Sequence, residues 1–114
     1  MTDCLFCKII KKEIPADIVY EDEKILAFND INPQAPKHIL IVPKIHIAKL
    51  EDVTDEDQKI LGYLISKAPY IIEKSGLKGK GVRLVCNNNS EAGQSVFHIH
   101  FHLLGGRTFK WPPG

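Results

Sequence analysis

With 114 residues and a net charge of +1, the chain has no basic excess with which to grip nucleic acid, and no apolar run approaches the ~20 residues of a membrane span. Hydrophobic residues make up 44% and charged residues 25% of the sequence, the balance of one globular domain, residues 1–114, able to bury a core without disulfides. The start, Met1-Thr2-Asp3-Cys4, has no basic segment leading into an apolar one, so the expected location is cytoplasmic, with neither nucleic acid nor membrane as partner.

Three cysteines, two of them spaced Cys4-Leu5-Phe6-Cys7, point to thiols in a reducing compartment rather than a disulfide framework. The pair is left with a metal, a redox role or no role. Residues 7–13 read as a short helix stopped by Pro15, because the residue before a proline is pushed out of the α region. Residues 18–20 and 25–28 are β-branched and aromatic runs around the acidic turn Glu21-Asp22-Glu23-Lys24, the pattern of an antiparallel hairpin. Pro33 and Pro36 mark a loop. His38-Ile39-Leu40-Ile41-Val42 is apolar enough for a central strand buried on both faces, ending at Pro43. Thr54 with Asp57 looks like a helix start. Ile60, Leu61, Leu64, Ile65, Ala68, Ile71 and Ile72 then recur at helical spacing, up to a stop at Gly76. Pro69 inside that helix should kink or split it. Residues 82–86 return as a strand in which Cys86 packs as a small hydrophobe, residues 87–95 form a polar loop, and residues 96–104 form the last strand. The order predicts an α+β domain, a mainly antiparallel sheet with one long helix and a short N-terminal helix.

The last strand carries the chemistry. In His98-Ile99-His100-Phe101-His102-Leu103-Leu104, strict period-two alternation puts three imidazoles on one face and apolar side chains on the other. At roughly 3.3 Å per residue, neighbouring histidines lie about 6.6 Å apart and the outer two about 13 Å apart. No single metal ion, with bonds of about 2 Å, reaches all three. The run therefore divides its labour or is inert. The preceding Asn87-Asn88-Asn89-Ser90-Glu91-Ala92-Gly93-Gln94-Ser95 is either an anion cradle or a turn with no ligand. Beside an imidazole face it points to chemistry at phosphorus, which needs a nucleophile, donors to the oxygens and an acid for the leaving group. No Gly-x-x-x-x-Gly-Lys-Ser/Thr sequence is present to suggest a Mg-nucleotide site.

His98 to Leu104 resembles the histidine triad motif, and the chain is similar to the Hint branch of that family, the histidine triad nucleotide-binding proteins. Lys8-Ile9-Ile10, Glu13-Ile14-Pro15-Ala16, Ala27-Phe28-Asn29-Asp30-Ile31, Pro33-Gln34-Ala35-Pro36-Lys37-His38, Ala92-Gly93-Gln94-Ser95-Val96-Phe97, and Gly105-Gly106-Arg107 with Trp111-Pro112-Pro113-Gly114 all carry the likeness. It implies a histidine-triad-like fold, a homodimer with one sheet continued across both subunits, and a purine nucleoside phosphoramidase that cleaves the P–N bond of AMP- or GMP-linked amines. Alternatives are a dinucleoside polyphosphate hydrolase or nucleotidylyl transferase, and a nucleotide-binding regulatory protein with incidental turnover.

By the same resemblance, His100 matches the nucleophile, His102 the group that protonates the leaving amine, and His38 an accompanying active-site histidine. Ser95 joins this catalytic set. Asp30 matches the ribose-binding acid, and Leu5, Phe6, Ile9, Phe28 and Ile31 an apolar purine slot. Asn87, Gly93, Gln94 and Ser95 match the loop that contacts ribose and phosphate. Bacterial relatives with Cys-x-x-Cys imply a structural zinc on Cys4, Cys7, His46 and His98, with no metal required for catalysis. His98 would then be withdrawn from any proton relay.

Overall fold

The structure is a computed structural model that describes residues 3–114. Its strands are β1 (Ile18–Glu21), β2 (Ile25–Asn29), β3 (Lys37–Pro43), β4 (Val82–Val85) and β5 (Phe101–Gly105). They form a five-stranded sheet in the order β1-β2-β3-β5-β4, every neighbouring pair antiparallel. Three α-helices flank it: α1 (Leu5–Ile10), α2 (Gln58–Ser66) and α3 (Ala68–Lys74).

β3 is the centre of the sheet, and after Lys37 every residue in it is buried. Ile39 and Ile41 face Leu64, Ala68 and Ile71 of α2 and α3, together with Ile25, Ala27 and Leu103. Leu40 and Val42 face the other way, packing with Leu26 and Phe28 against Phe6 and Ile9 of α1. A strand covered on both faces has no polar side to show, so it reads as an unbroken apolar run. His102 pairs with Leu40 in register, which puts its imidazole on the α1 side.

The long helix is bent at Lys67 between α2 and α3, where Pro69 falls in the first turn of α3. Hydrogen bonds from Lys67 N–H to the Tyr63 carbonyl (3.1 Å) and from Ile71 N–H to the Lys67 carbonyl (3.2 Å) cross the junction, so the proline bends the rod rather than ending it. Gly76, at φ 77°, closes α3 in the left-handed conformation that glycine adopts most readily. The Thr54–Asp57 capping box caps a 3-10 turn, Asp55–Asp57, and α2 proper begins one residue later.

β1 and β2 each run one residue past their sequence-predicted ends and β3 one residue past both of its ends, and α1, β4 and β5 differ as well. α1 starts two residues earlier than residue 7, because Cys4 caps it: its sulfur accepts the Cys7 N–H at 3.3 Å. It also stops well before Pro15. Lys12 turns left-handed at φ 66°, with Glu13 N–H closing onto the Lys8 carbonyl at 2.9 Å, a helix ending that a lysine does not advertise. β4 is one residue shorter than predicted and leaves Cys86 outside the ladder. β5 begins at Phe101 rather than residue 96, since pairing with β3 ends at Ile41–Phe101. Before that point histidine side chains take the bonds a ladder would make: His98 Nε2–H donates to the Pro43 carbonyl (2.8 Å) and His100 Nδ1–H to the His98 carbonyl (2.8 Å). No helix among the described residues is long and apolar enough to cross a membrane.

Candidate functional site

A cleft of about 250 Å³ opens between α1 and the sheet. Leu5, Phe6 and Ile9 of α1, Phe28 at the end of β2 and Leu40 of β3 make one end apolar, while Asp30, Ser95, His100 and His102 line the other. Ile14, Pro15, Ala16, Asn29 and Val96 complete the wall. Sequence pattern assigns neither Leu40 nor these five to the cleft, although Ile14-Pro15-Ala16 begins four residues past the end of the helix that carries the slot. The exposed Ile31 sits at the rim.

Backbone partners fix the tautomers of the histidines, because a peptide N–H can only donate and a carbonyl can only accept. His38 Nδ1 accepts from Gln34 N–H at 3.0 Å, so neutral His38 carries its proton on Nε2. That proton faces His102 Nδ1 at 2.9 Å, which leaves the proton of neutral His102 on Nε2. His100 Nδ1–H donates to the His98 carbonyl, leaving a lone pair on its Nε2. The His100 and His102 rings lie 5.0 Å apart. Burial holds His38 and His100 below the usual imidazole range, against the pull of the Asp30 carboxylate. Burial and then the neighbouring imidazoles of His100 and His38 push His102 down to about 4. At neutral pH the cleft thus presents one bare imidazole nitrogen and one imidazole N–H side by side. This is the pairing that nucleophilic attack with assisted departure requires.

Asp30 accepts Asn32 N–H on Oδ1 (2.8 Å), and its Oδ2 lies 3.4 Å from His38 Nε2. In the 87–95 loop, Asn89 and Gly93 take positive φ, and the N–H groups of Gly93 and Gln94 bond to the Ser90 and Asn89 carbonyls. The buried Gln94 side chain braces the loop, donating to the Ala48 and Val96 carbonyls and accepting from Asn89 N–H. Asn87, Gly93 and Gln94 do not line the cleft; Ser95 does.

Behind α1, Cys4, Cys7, His46 and His98 converge, with all four donor atoms within 4.8 Å of one another. His98 Nδ1 lies 3.4 Å from Cys4 Sγ, 3.5 Å from Cys7 Sγ and 3.1 Å from His46 Nδ1, and Cys7 Sγ lies 3.4 Å from His46 Nδ1. Tetrahedral zinc with ordinary bond lengths puts sulfur and nitrogen about 3.5 Å apart and two nitrogens about 3.3 Å apart. The four separations therefore match those of a tetrahedral ion, and two thiols with two imidazoles are a donor set that zinc takes. The Pro43 carbonyl anchors the far nitrogen of His98, as an outer partner orients a ligating histidine. Asp30, His38 and His102 form a second close group that does not fit a metal. Gln34 N–H occupies His38 Nδ1, so the nitrogen facing the group holds a proton.

The HIT domain family matches residues 11–109. A 14 kDa zinc-binding protein of Zea mays is 54% identical, over 96% of this chain and 87% of its own. The purine nucleoside phosphoramidase of Escherichia coli is 51% identical, over 92% of this chain and 88% of its own. A HIT family hydrolase from Legionella pneumophila superposes with a TM-score of 0.95 at 55% identity, covering 98% of this chain and 100% of that one.

Proposed function

The chain belongs to the HIT domain family, and from that membership we propose that it is a hydrolase of the Hint branch, acting on purine nucleoside phosphoramidates. The observation that carries the proposal is the bare Nε2 of His100 in the wall of a cleft whose other end is an apolar slot. An aromatic and aliphatic slot takes a flat base by burial, and Asp30 beside it can accept from ribose hydroxyls.

His100 Nε2 attacks the α-phosphorus, and the P–N bond to the amine breaks as a nucleotidyl-imidazole forms. The amine leaves neutral, from a bridging nitrogen that is protonated in the bound substrate, and His102 Nε2–H, its ring oriented by His38 Nε2–H, donates a hydrogen bond to the nitrogen's developing lone pair. Water then attacks the phosphorus, the bond to His100 breaks, and the proton released by water leaves with the nucleotide. Ser95, at the mouth, donates to a phosphoryl oxygen. Zinc on Cys4, Cys7, His46 and His98 would supply a structural crosslink and no reacting group. We assign the chain to a homodimer joined at β4, the edge of the sheet, which presents the part-exposed Leu84.

The test is a panel of AMP phosphoramidate, a dinucleoside tetraphosphate and a nucleotide sugar, with acid-labile, base-stable modification of His100 sought by mass spectrometry after rapid alkaline quench. Preferential turnover of the phosphoramidate with adenylylated His100 is expected. Preferred hydrolysis of the tetraphosphate, or binding without turnover of any of the three, would replace the proposal by the corresponding alternative.

A further inference from the structure

Cys4 and Cys7 bracket two residues, Leu5 and Phe6, that line the apolar end of the cleft. The Phe6 ring is 3% exposed and meets three partners edge-on: His98 at 6.0 Å, His100 at 5.0 Å and Phe28 at 5.5 Å between centroids. One ring thus touches a residue of the Cys4–Cys7–His46–His98 cluster, the proposed nucleophile and the floor of the slot. His98 is a second link, since its Nδ1 belongs to the cluster while its carbonyl receives His100 Nδ1–H.

α1 is six residues long, too short to persist by its own hydrogen bonds, and a thiol caps it. Its placement therefore depends on what its side chains grip: Phe6 and Ile9 in the core, Cys4 and Cys7 in the cluster. His46 is exposed and Cys7 only part-buried, so an ion there can exchange with solution.

We infer that metal occupancy of the Cys4–Cys7–His46–His98 cluster is thermodynamically coupled to nucleotide affinity in the cleft, with Phe6 as the positioning residue between them. The inference rests on the nucleotide-site reading above. An ion that locks α1 against the sheet orders Leu5, Phe6 and Ile9 before the base arrives, and a preordered wall binds more tightly. Linkage makes the effect reciprocal: the factor by which metal tightens nucleotide is the factor by which nucleotide tightens metal.

The test uses the full chain. AMP is titrated by calorimetry into zinc-loaded and zinc-free protein, and zinc affinity is measured by competition with a chromophoric chelator, with and without saturating AMP. The AMP dissociation constant should rise on the order of tenfold without zinc, and AMP should lower the zinc dissociation constant by the same factor. In Phe6→Leu both ligands still bind, but that factor falls toward one. Equal AMP affinity in the two forms, both folded by circular dichroism, overturns the inference. So does a Phe6→Leu variant that keeps the full factor. Should the zinc-free chain unfold, competition on the loaded chain still decides, because a zinc affinity indifferent to AMP overturns the coupling. Zinc binding with no AMP binding at all would instead overturn the nucleotide reading, and the coupling with it.

Discussion

His100 Nδ1–H donates to the carbonyl of His98 across 2.8 Å, and this one bond decides which nitrogen of His100 faces the cleft without a proton. Replacing His100 by Ala or Asn should lower turnover of a nucleoside phosphoramidate on the order of 10³-fold or more, the scale seen when a nucleophile is removed. AMP affinity, measured by calorimetry, should change little, because the slot and Asp30 are intact. A variant that kept a near-native rate would remove His100 from the covalent step.

Asp30 should behave in the opposite way. Its carboxylate sits in the cleft wall with Oδ1 held by Asn32 N–H. Asp30→Ala removes a charged acceptor for ribose hydroxyls, a loss of about 1.5–3 kcal/mol, or roughly 10–100-fold in AMP affinity. Titration of AMP and of its 2′,3′-dideoxy analogue checks the role. The variant should lose its preference for the hydroxylated ligand, and a change in rate with unchanged affinity would make Asp30 a partner of His38 instead.

Acid should destabilise the fold in two separate windows. His102 is held at about 4 in the folded chain by burial and then by its imidazole neighbours, against about 6.5 when unfolded. The unfolded chain binds the extra proton in that interval, so the contribution is complete above pH 6.5 and is lost as the pH falls toward 4, by about 3 kcal/mol at most. Asp22 acts lower. Burial would raise its carboxyl, but hydrogen bonds from Tyr63, Tyr20 and the N–H groups of Lys24 and Ile25 outweigh burial and hold it well below the usual range. Its contribution is present above its unfolded value near 4 and fades below it. Urea midpoints for His102→Asn should lose part of the upper slope, and those for Asp22→Asn part of the lower one. Parallel curves for His102→Asn and the parent would refute the first assignment.

Much of this site can be read in the sequence because its signals are local. Period-two alternation from His98 to Leu104 gives the shared face of the imidazoles, and Pro69 gives the bend in the helix, which falls two residues before it at Lys67. What escapes the sequence depends on partners far along the chain, or on local backbone and sulfur contacts that the residue types do not signal. β5 begins at Phe101 because its pairing with β3 runs out there, and nothing within residues 96–100 signals that limit. The tautomer of His38 comes from a backbone N–H at Gln34, where the side chain carries no message. His46 lies in an aperiodic connection between Pro43 and Leu50, and its place beside His98 was reached by resemblance rather than by pattern. The sulfur cap of Cys4, which sets where α1 begins, has the same character, since cysteine is not a usual capping residue.

The closeness of the Cys4, Cys7, His46 and His98 donor atoms, all within 4.8 Å of one another, leads to an expected content near one zinc per chain by elemental analysis of protein purified without chelators. Cys4→Ser with Cys7→Ser should abolish that content. The loss should also lower the melting temperature by about 10 °C or more, since metal affinity contributes directly to folding and 1 kcal/mol shifts a domain of this size by about 4–8 °C. Below that temperature the variant should still cleave a phosphoramidate at saturating substrate. His100 Nε2 and His102 Nε2 lie on the cleft side, and each ring is set by a hydrogen bond at its Nδ1, from His100 to the His98 carbonyl and from His38 to His102. A variant that melts high, binds AMP and yet shows no turnover at saturation would tie the cluster to the chemical step and displace the purely structural role assigned to it.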